Sequence, residues 1–344
     1  MTSPQVVTIT FDGWSYRNHA EDYASWIVGS SWLSTVGADY GVGLGSTSAP
    51  VHLSLVPPNV TDDTTIQSFL SSKIEDGTLP APLQATSPTG PSNTIYMLYY
   101  PASTTIYLDD QHTQVSCTTF AGYHDELIYN QQHIPYAVLP DCSNVTGVVM
   151  PDDLDVAVSH ELIEAATDPL YRTNQAYIIS DYTNPWYWTG GEVADMCLAM
   201  RYTDPATGNI AQRIWSNSLA LGSRSPCAPT PLSVGFIGEY VTPNNIQYVD
   251  AGVGGSVNIA VHGFTTNSGE GWFAEVFNAG GSVTATEMPD YSQNGMLLSN
   301  GATINLSLTL PEEVVSGDYL YYWVYGYDPL GSDSLWWPVV VYVP

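Results

Sequence analysis

The chain has 344 residues, 44% of them apolar and 12% aromatic, which is ample for folded cores and unlike the apolar-poor composition of disordered chains. That length exceeds what one hydrophobic core usually serves, so two domains are expected. Six Lys and Arg stand against 34 Asp and Glu, and the formal net charge of -28 repels phosphate backbones and anionic lipid alike, excluding nucleic acid and membrane surfaces as partners.

The imbalance comes from missing bases, Lys73 being the sole lysine. Lowering the pH protonates carboxylates and brings such a chain toward zero net charge, so the composition suits an acidic extracellular setting. No stretch approaches the roughly 18 apolar residues of a membrane-spanning helix. The start, Met1-Thr2-Ser3-Pro4, lacks a leader's charged and apolar regions, so secretion is inferred and the expectation is a chain whose leader has been removed. Three glycosylation sequons, at Asn59, Asn144 and Asn305, are compatible with export but arise easily in a Ser/Thr-rich chain.

In chain order, Val6 to Asp12 reads as a strand, and apolar residues at Tyr23, Ile27, Trp32 and Leu33 predict a helix over Ala20 to Val36. A second such unit follows. Val51 to Val56 reads as a strand, and Asp62 or Asp63 caps a helix through Ile66, Phe69, Leu70 and Ile74 that Asp76-Gly77 ends. Thr94 to Tyr100, Thr105 to Leu108 and Tyr136 to Leu139 add short strands. The next helix begins at Pro151, with Asp152, Asp153 and Asp155 at the positive end of its dipole, and must stop by Pro169. Its stripe of Leu154, Val158, Leu162 and Ala165 predicts packing against the sheet. Asp204 to Gly208 reads as a turn and Ile210 to Trp215 as a short element.

Beyond the linker-like Ala228-Pro229-Thr230-Pro231, residues 232–344 hold no Lys, Arg or Cys. Strand signals dominate there, at Val257 to Val261, Trp272 to Phe277, Ile304 to Leu310 and Tyr319 to Tyr327. An all-β immunoglobulin-like sandwich suits a segment of this length.

Cys117, Cys142, Cys197 and Cys227 are even in number and fall in two consecutive pairs. Neighbour pairing closes two modest loops and is the simplest of the three connectivities. A four-cysteine zinc site lacks the short CxxC spacing, and four buried free thiols fit the hints of export less well.

Chemistry concentrates in Ser159-His160-Glu161-Leu162-Ile163-Glu164. His160 and Glu164, four residues apart, share one helix face, with Glu161 rotated by one residue. In the HExxH motif two histidines bind zinc while the Glu polarises a water and shuttles its proton. Here Glu164 takes the second position, and carboxylate is also a zinc ligand. Chance supplies HExxE in this composition about 0.01 times. A third ligand is needed, and Glu192, Asp168 and Asp181 are its candidates, with Asp195 beside them.

The segments SHELIEAATDPL (159–170) and EVADMC (192–197) resemble the core of plant EXORDIUM/phosphate-induced proteins and of bacterial secreted relatives, and the motif pair is similar to the gluzincin peptidases. Residues Gly122-Tyr123-His124, Tyr136-Ala137-Val138 and Tyr40-Gly41-Val42-Gly43 extend the resemblance over residues 1–230. It implies an α/β (α+β) zincin-like metallopeptidase domain over 1–230, with the sandwich as an accessory domain over 232–344. It further implies a second helix on which Glu192 is the third zinc ligand and Asp195 holds His160 by a hydrogen bond, while Asp168 is a second-shell carboxylate. The implied activity is hydrolysis of a protein or peptide substrate with Zn2+ as cofactor and Glu161 as general base. His124, placed just before a strand, either donates to the developing oxyanion as a catalytic group or is a structural histidine. The rival is a non-catalytic adhesion protein with a structural metal, contacting glycan through Trp272, Trp323, Trp336 and Trp337; such aromatics more often form core.

Overall fold

The computed structural model describes residues 1–85, 90–109, 111–176, 191–198, 200–222, 224–230, 237–242, 246–250, 255–265, 273–278, 285–286, 299–310, 314–327 and 334–344. The chain is mixed α/β with a β-rich C-terminal region and forms two compact units, Met1–Tyr177 with Arg201–Ile214, and Ile178–Met200 with Trp215–Pro344.

The first unit is built on β1 (Gln5–Phe11), α1 (Arg17–Ile27), α2 (Ser31–Val36), β2 (Ser46–Thr47), β3 (Val51–Leu53), β4 (Val60–Asp62), α3 (Asp63–Glu75), β5 (Thr94–Tyr100), β6 (Thr105–Tyr107), β7 (Tyr123–Tyr129), β8 (Gln132–Pro140), α4 (Asp152–Thr167), β9 (Arg201–Thr203) and β10 (Ile210–Gln212). The main sheet runs β2-β1-β5-β8-β7, with β3 also paired to β1. β1, β2, β3, β5 and β8 are parallel, whereas β7 turns back antiparallel on β8 through Asn130 and Gln131, whose φ angles of 49° and 65° mark a tight two-residue hairpin. Every residue of β5 is buried, as a central strand covered on both faces requires.

Several expectations change in the structure. The helix expected over Ala20 to Val36 is two helices, because Ser30 starts a new one: its Oγ accepts from Leu33 N at 3.1 Å and satisfies an otherwise orphaned amide. The strand expected over Val51 to Val56 ends at Leu53. Asp62, not Asp63, caps α3, accepting from Thr65 N at 2.7 Å. His124 does not precede a strand; it lies on β7, the edge strand of the hairpin.

In the second unit the expected helix over Glu192 to Cys197 is a single 3-10 turn at Asp195–Cys197. Asp195 Oδ2 accepts from Glu192 N at 3.0 Å, a local side-chain-to-backbone bond that competes with helix. Disulfides join Cys117 to Cys142 in the first unit and Cys197 to Cys227 in the second, the neighbour pairing. The C-terminal strands form two four-stranded sheets. Alternate residues of both line one core: Val257, Ile259, Val261, Leu308 and Leu310 from the first sheet, Tyr322, Val324, Val339 and Val341 from the second. Trp337 packs against this core, and Trp272 lies outside the described residues.

Candidate metal centre

Helix α4 is buried nearly all round, which forces its polar residues into the interior. It packs against β5, β7 and β8 on one side and β10 on another. An ordinary helix in that position carries only apolar residues, because each buried carboxylate costs several kcal/mol unless a counter-charge meets it. Yet Glu161 and Glu164 are 5% and 3% exposed.

His160 Nε2 stands 3.0 Å from Glu164 Oε2, one helical turn away. Ligand atoms of His160, Glu161 and Glu164 all lie within 4.8 Å of one another, a grouping that can hold a metal ion. Donors on a tetrahedral metal ion at about 2.1 Å sit about 3.4 Å apart, and imidazole nitrogen with carboxylate oxygen is a donor set that suits a divalent metal such as zinc.

The other face of the His160 ring is fixed by Gln212 of β10. His160 Nδ1 meets Gln212 Oε1 at 3.1 Å; an amide oxygen only accepts, so Nδ1 is the donor there, and Nε2 is the ring atom that faces Glu164. Gln212 is itself anchored. Its amide N donates to Ser159 Oγ at 2.8 Å, and its carbonyl accepts from Trp32 Nε1 at 2.7 Å. Such an outer partner sets the tautomer and orientation of a ligating histidine.

β7 brings His124 to the same place. Its Nδ1 lies 3.5 Å from Glu161 Oε2 and 3.7 Å from Glu164 Oε2, with its side chain 4% exposed. Just before it, Gly122 approaches so closely that a Cβ there would stand 2.9 Å from Glu161 Cγ and 2.9 Å from Oε1.

No protein-family model matches the chain, and no curated protein matches it. The centre's own chemistry sets what it can do.

Of the residues singled out in the sequence, His160, Glu161, Glu164 and His124 come together in the first unit. Asp168, buried, caps α4 one turn beyond Glu164, its Oδ1 accepting from Ala176 N at 2.8 Å. Glu192, buried, and Asp195 belong to the second unit. Asp181 lies outside the described residues. Two histidines outside this group have other contacts: His133 pairs with Glu126 at 2.7 Å, and His112 stacks on Tyr107. Sequence reasoning missed Gln212, because a lone amide in a short strand carries no spacing signal. It also missed the reach of Gly122, whose only sign is a glycine two residues ahead of a strand histidine.

Proposed function

We propose that the chain is a secreted, zinc-dependent peptidase acting on a protein or peptide substrate. The observation that carries this reading is the His160–Glu161–Glu164 group on one helix, its two carboxylates buried, with His160 Nδ1 held by Gln212 and Nε2 turned toward Glu164. His160 and Glu164 hold the metal. Zinc bound there supplies a Lewis acid that polarises a carbonyl and acidifies a water. Glu161 takes the proton of the attacking water on its carboxylate and returns it to the leaving nitrogen. Burial excludes bulk water from that exchange, so the carboxylate works at low dielectric, where charge placement has most effect.

The resemblance of segments 159–170 and 192–197 to EXORDIUM-like and gluzincin proteins supports the same reading, as does a sheet whose antiparallel edge strand flanks the motif helix. The two disulfides and the absence, among the described residues, of any helix long and apolar enough to cross a membrane are compatible with export. The C-terminal sheets suit an immunoglobulin-like accessory domain. Zinc titration with chelator competition tests the centre: one zinc per chain is expected, lost in His160→Ala and Glu164→Ala. Unchanged zinc content in both variants would refute the ligand assignment.

A further inference from the structure

Among the described residues, His52 with Glu21, His19 with Asp155, His133 with Glu126 and His160 with Glu164 stand at hydrogen-bond distance, at 2.6, 2.7, 2.7 and 3.0 Å. His124 is different. It faces two buried carboxylates and meets neither at that distance, standing 3.5 Å from Glu161 Oε2 and 3.7 Å from Glu164 Oε2. The separation from Glu164, the ligand, exceeds an N–H···O bond and lies near the edge length of about 3.4 Å expected between donors on one tetrahedral zinc.

We propose that His124 is a ligand of the metal, the second imidazole beside His160, and that Arg172 holds it in place by clamping strand β7. The proposal rests on the metal reading above and deepens it. HExxE lacks the second histidine of the usual helix motif, and β7 supplies a nitrogen donor from the opposite side. With His160 and Glu164, His124 gives the metal two imidazoles and one carboxylate and leaves the fourth position of a tetrahedral ion open for water, as a catalytic site requires.

The strand is secured on both sides of His124. Tyr123 donates through its hydroxyl to Asp63 Oδ1 at 2.9 Å. Asp125 accepts from Arg172 Nε at 2.7 Å and also from Nη2, and Arg172 Nη2 reaches Asp63 Oδ2 at 2.9 Å. Glu126 Oε1 accepts from the backbone N of Arg172 and of Thr173, at 3.0 and 2.7 Å. Tyr171, on the same segment, meets the His124 ring edge-on with centroids 5.3 Å apart. A guanidinium paired with the buried carboxylates of Asp63 and Asp125 contributes little net stability, since desolvation offsets attraction, but it fixes geometry. Arg172 is therefore a positioning residue that acts through β7.

The test uses the full chain, zinc with a competing chelator, and Co2+ as a spectroscopic probe of the ligand set. In His124→Gln, zinc affinity should fall by more than the roughly 10- to 100-fold that loss of an outer-shell partner costs, and the Co2+ visible bands should shift. His124→Asp, which restores a ligand, should recover part of the affinity. Arg172→Lys keeps the charge but loses the fork, and should weaken zinc about tenfold, within the outer-shell range. If the wild type binds metal and His124→Gln binds it equally with unchanged Co2+ bands, His124 is no ligand. If Arg172→Lys lowers Tm yet leaves affinity and bands unchanged, the clamp is structural only. A wild type that binds no zinc overturns the metal reading itself, a separate failure. Circular dichroism of the metal-free variants separates misfolding from ligand loss, and the His124→Asp rescue decides the matter if His124→Gln folds poorly.

Discussion

Gly122 lies against the carboxylate of Glu161 with no room for a side chain between them: a β-carbon would stand 2.9 Å from both Cγ and Oε1 of the glutamate. Cγ is near the root of the side chain, so Glu161 cannot yield by swinging only its tip. Gly122→Ala should therefore displace the proposed base while leaving His160 and Glu164 in place. A misplacement of about 1 Å can cost about 100-fold in turnover. Steady-state kinetics beside zinc analysis checks this, with kcat expected to fall at unchanged metal content; a fully active Gly122→Ala would show that Glu161 need not occupy this position.

Zinc should stabilise the folded chain, since it binds the folded centre and not the unfolded chain. At free zinc about 100 times Kd the gain is about 2.7 kcal/mol, read as a rise in Tm that a chelator removes. Glu164→Ala should abolish that rise. A chelator-insensitive Tm in a zinc-loaded wild type would contradict the coupling of metal to fold.

The pH response of stability has a definite sign at the base of α4. Asp155 hydrogen-bonded to His19 raises the imidazole's pKa above its ordinary 6.5, against the opposing effect of burial. Burial raises the Asp155 carboxyl as well, outweighing His19. A raised folded-state pKa means that the folded chain holds the proton more tightly than the unfolded one. The His19 contribution is thus full below pH 6.5 and is lost as pH rises through its folded value. That of Asp155 is lost likewise as pH rises above the carboxylate range. Tm should fall from pH 5.5 to pH 8.5, and less steeply in His19→Gln; an equal slope in both proteins would remove this pair as the cause. The direction agrees with the acidic setting that the scarcity of Lys and Arg suggests.

Reduction should also destabilise the protein. The Cys117–Cys142 and Cys197–Cys227 bonds close loops of sequence separation 25 and 30, each worth about 3 to 4 kcal/mol by chain entropy. Denaturant midpoints with and without reductant measure this, and coincident midpoints would contradict it.

Legibility in the sequence varied with how local the cause was. Pro151 and Pro169 bracket α4, and β5 follows from an unbroken run of β-formers; both are set by neighbours in the chain. The HExxE spacing works the same way, because helix geometry alone puts residues four apart on one face. β7 was not legible. Tyr123-His124-Asp125-Glu126 reads as polar, and its partners are distant in sequence: Asp63 for Tyr123, Glu161 and Glu164 for His124, and Arg172 for Asp125 and Glu126. The strand Ser334–Tyr342 contains Pro338, which breaks the strand signal although the strand pairs on both sides. Gln212 became visible only once β10 was laid on α4. Such pairings depend on long-range contacts that no local pattern records.

The most direct test of the account is peptide hydrolysis by zinc-loaded wild type and Glu161→Gln, assayed on a peptide library from pH 4 to pH 7 with zinc measured in each sample. The account predicts cleavage by the wild type that a chelator stops, and a Glu161→Gln variant that keeps its one zinc but no turnover. No cleavage by the zinc-loaded wild type at any pH, or equal cleavage by Glu161→Gln, would contradict it.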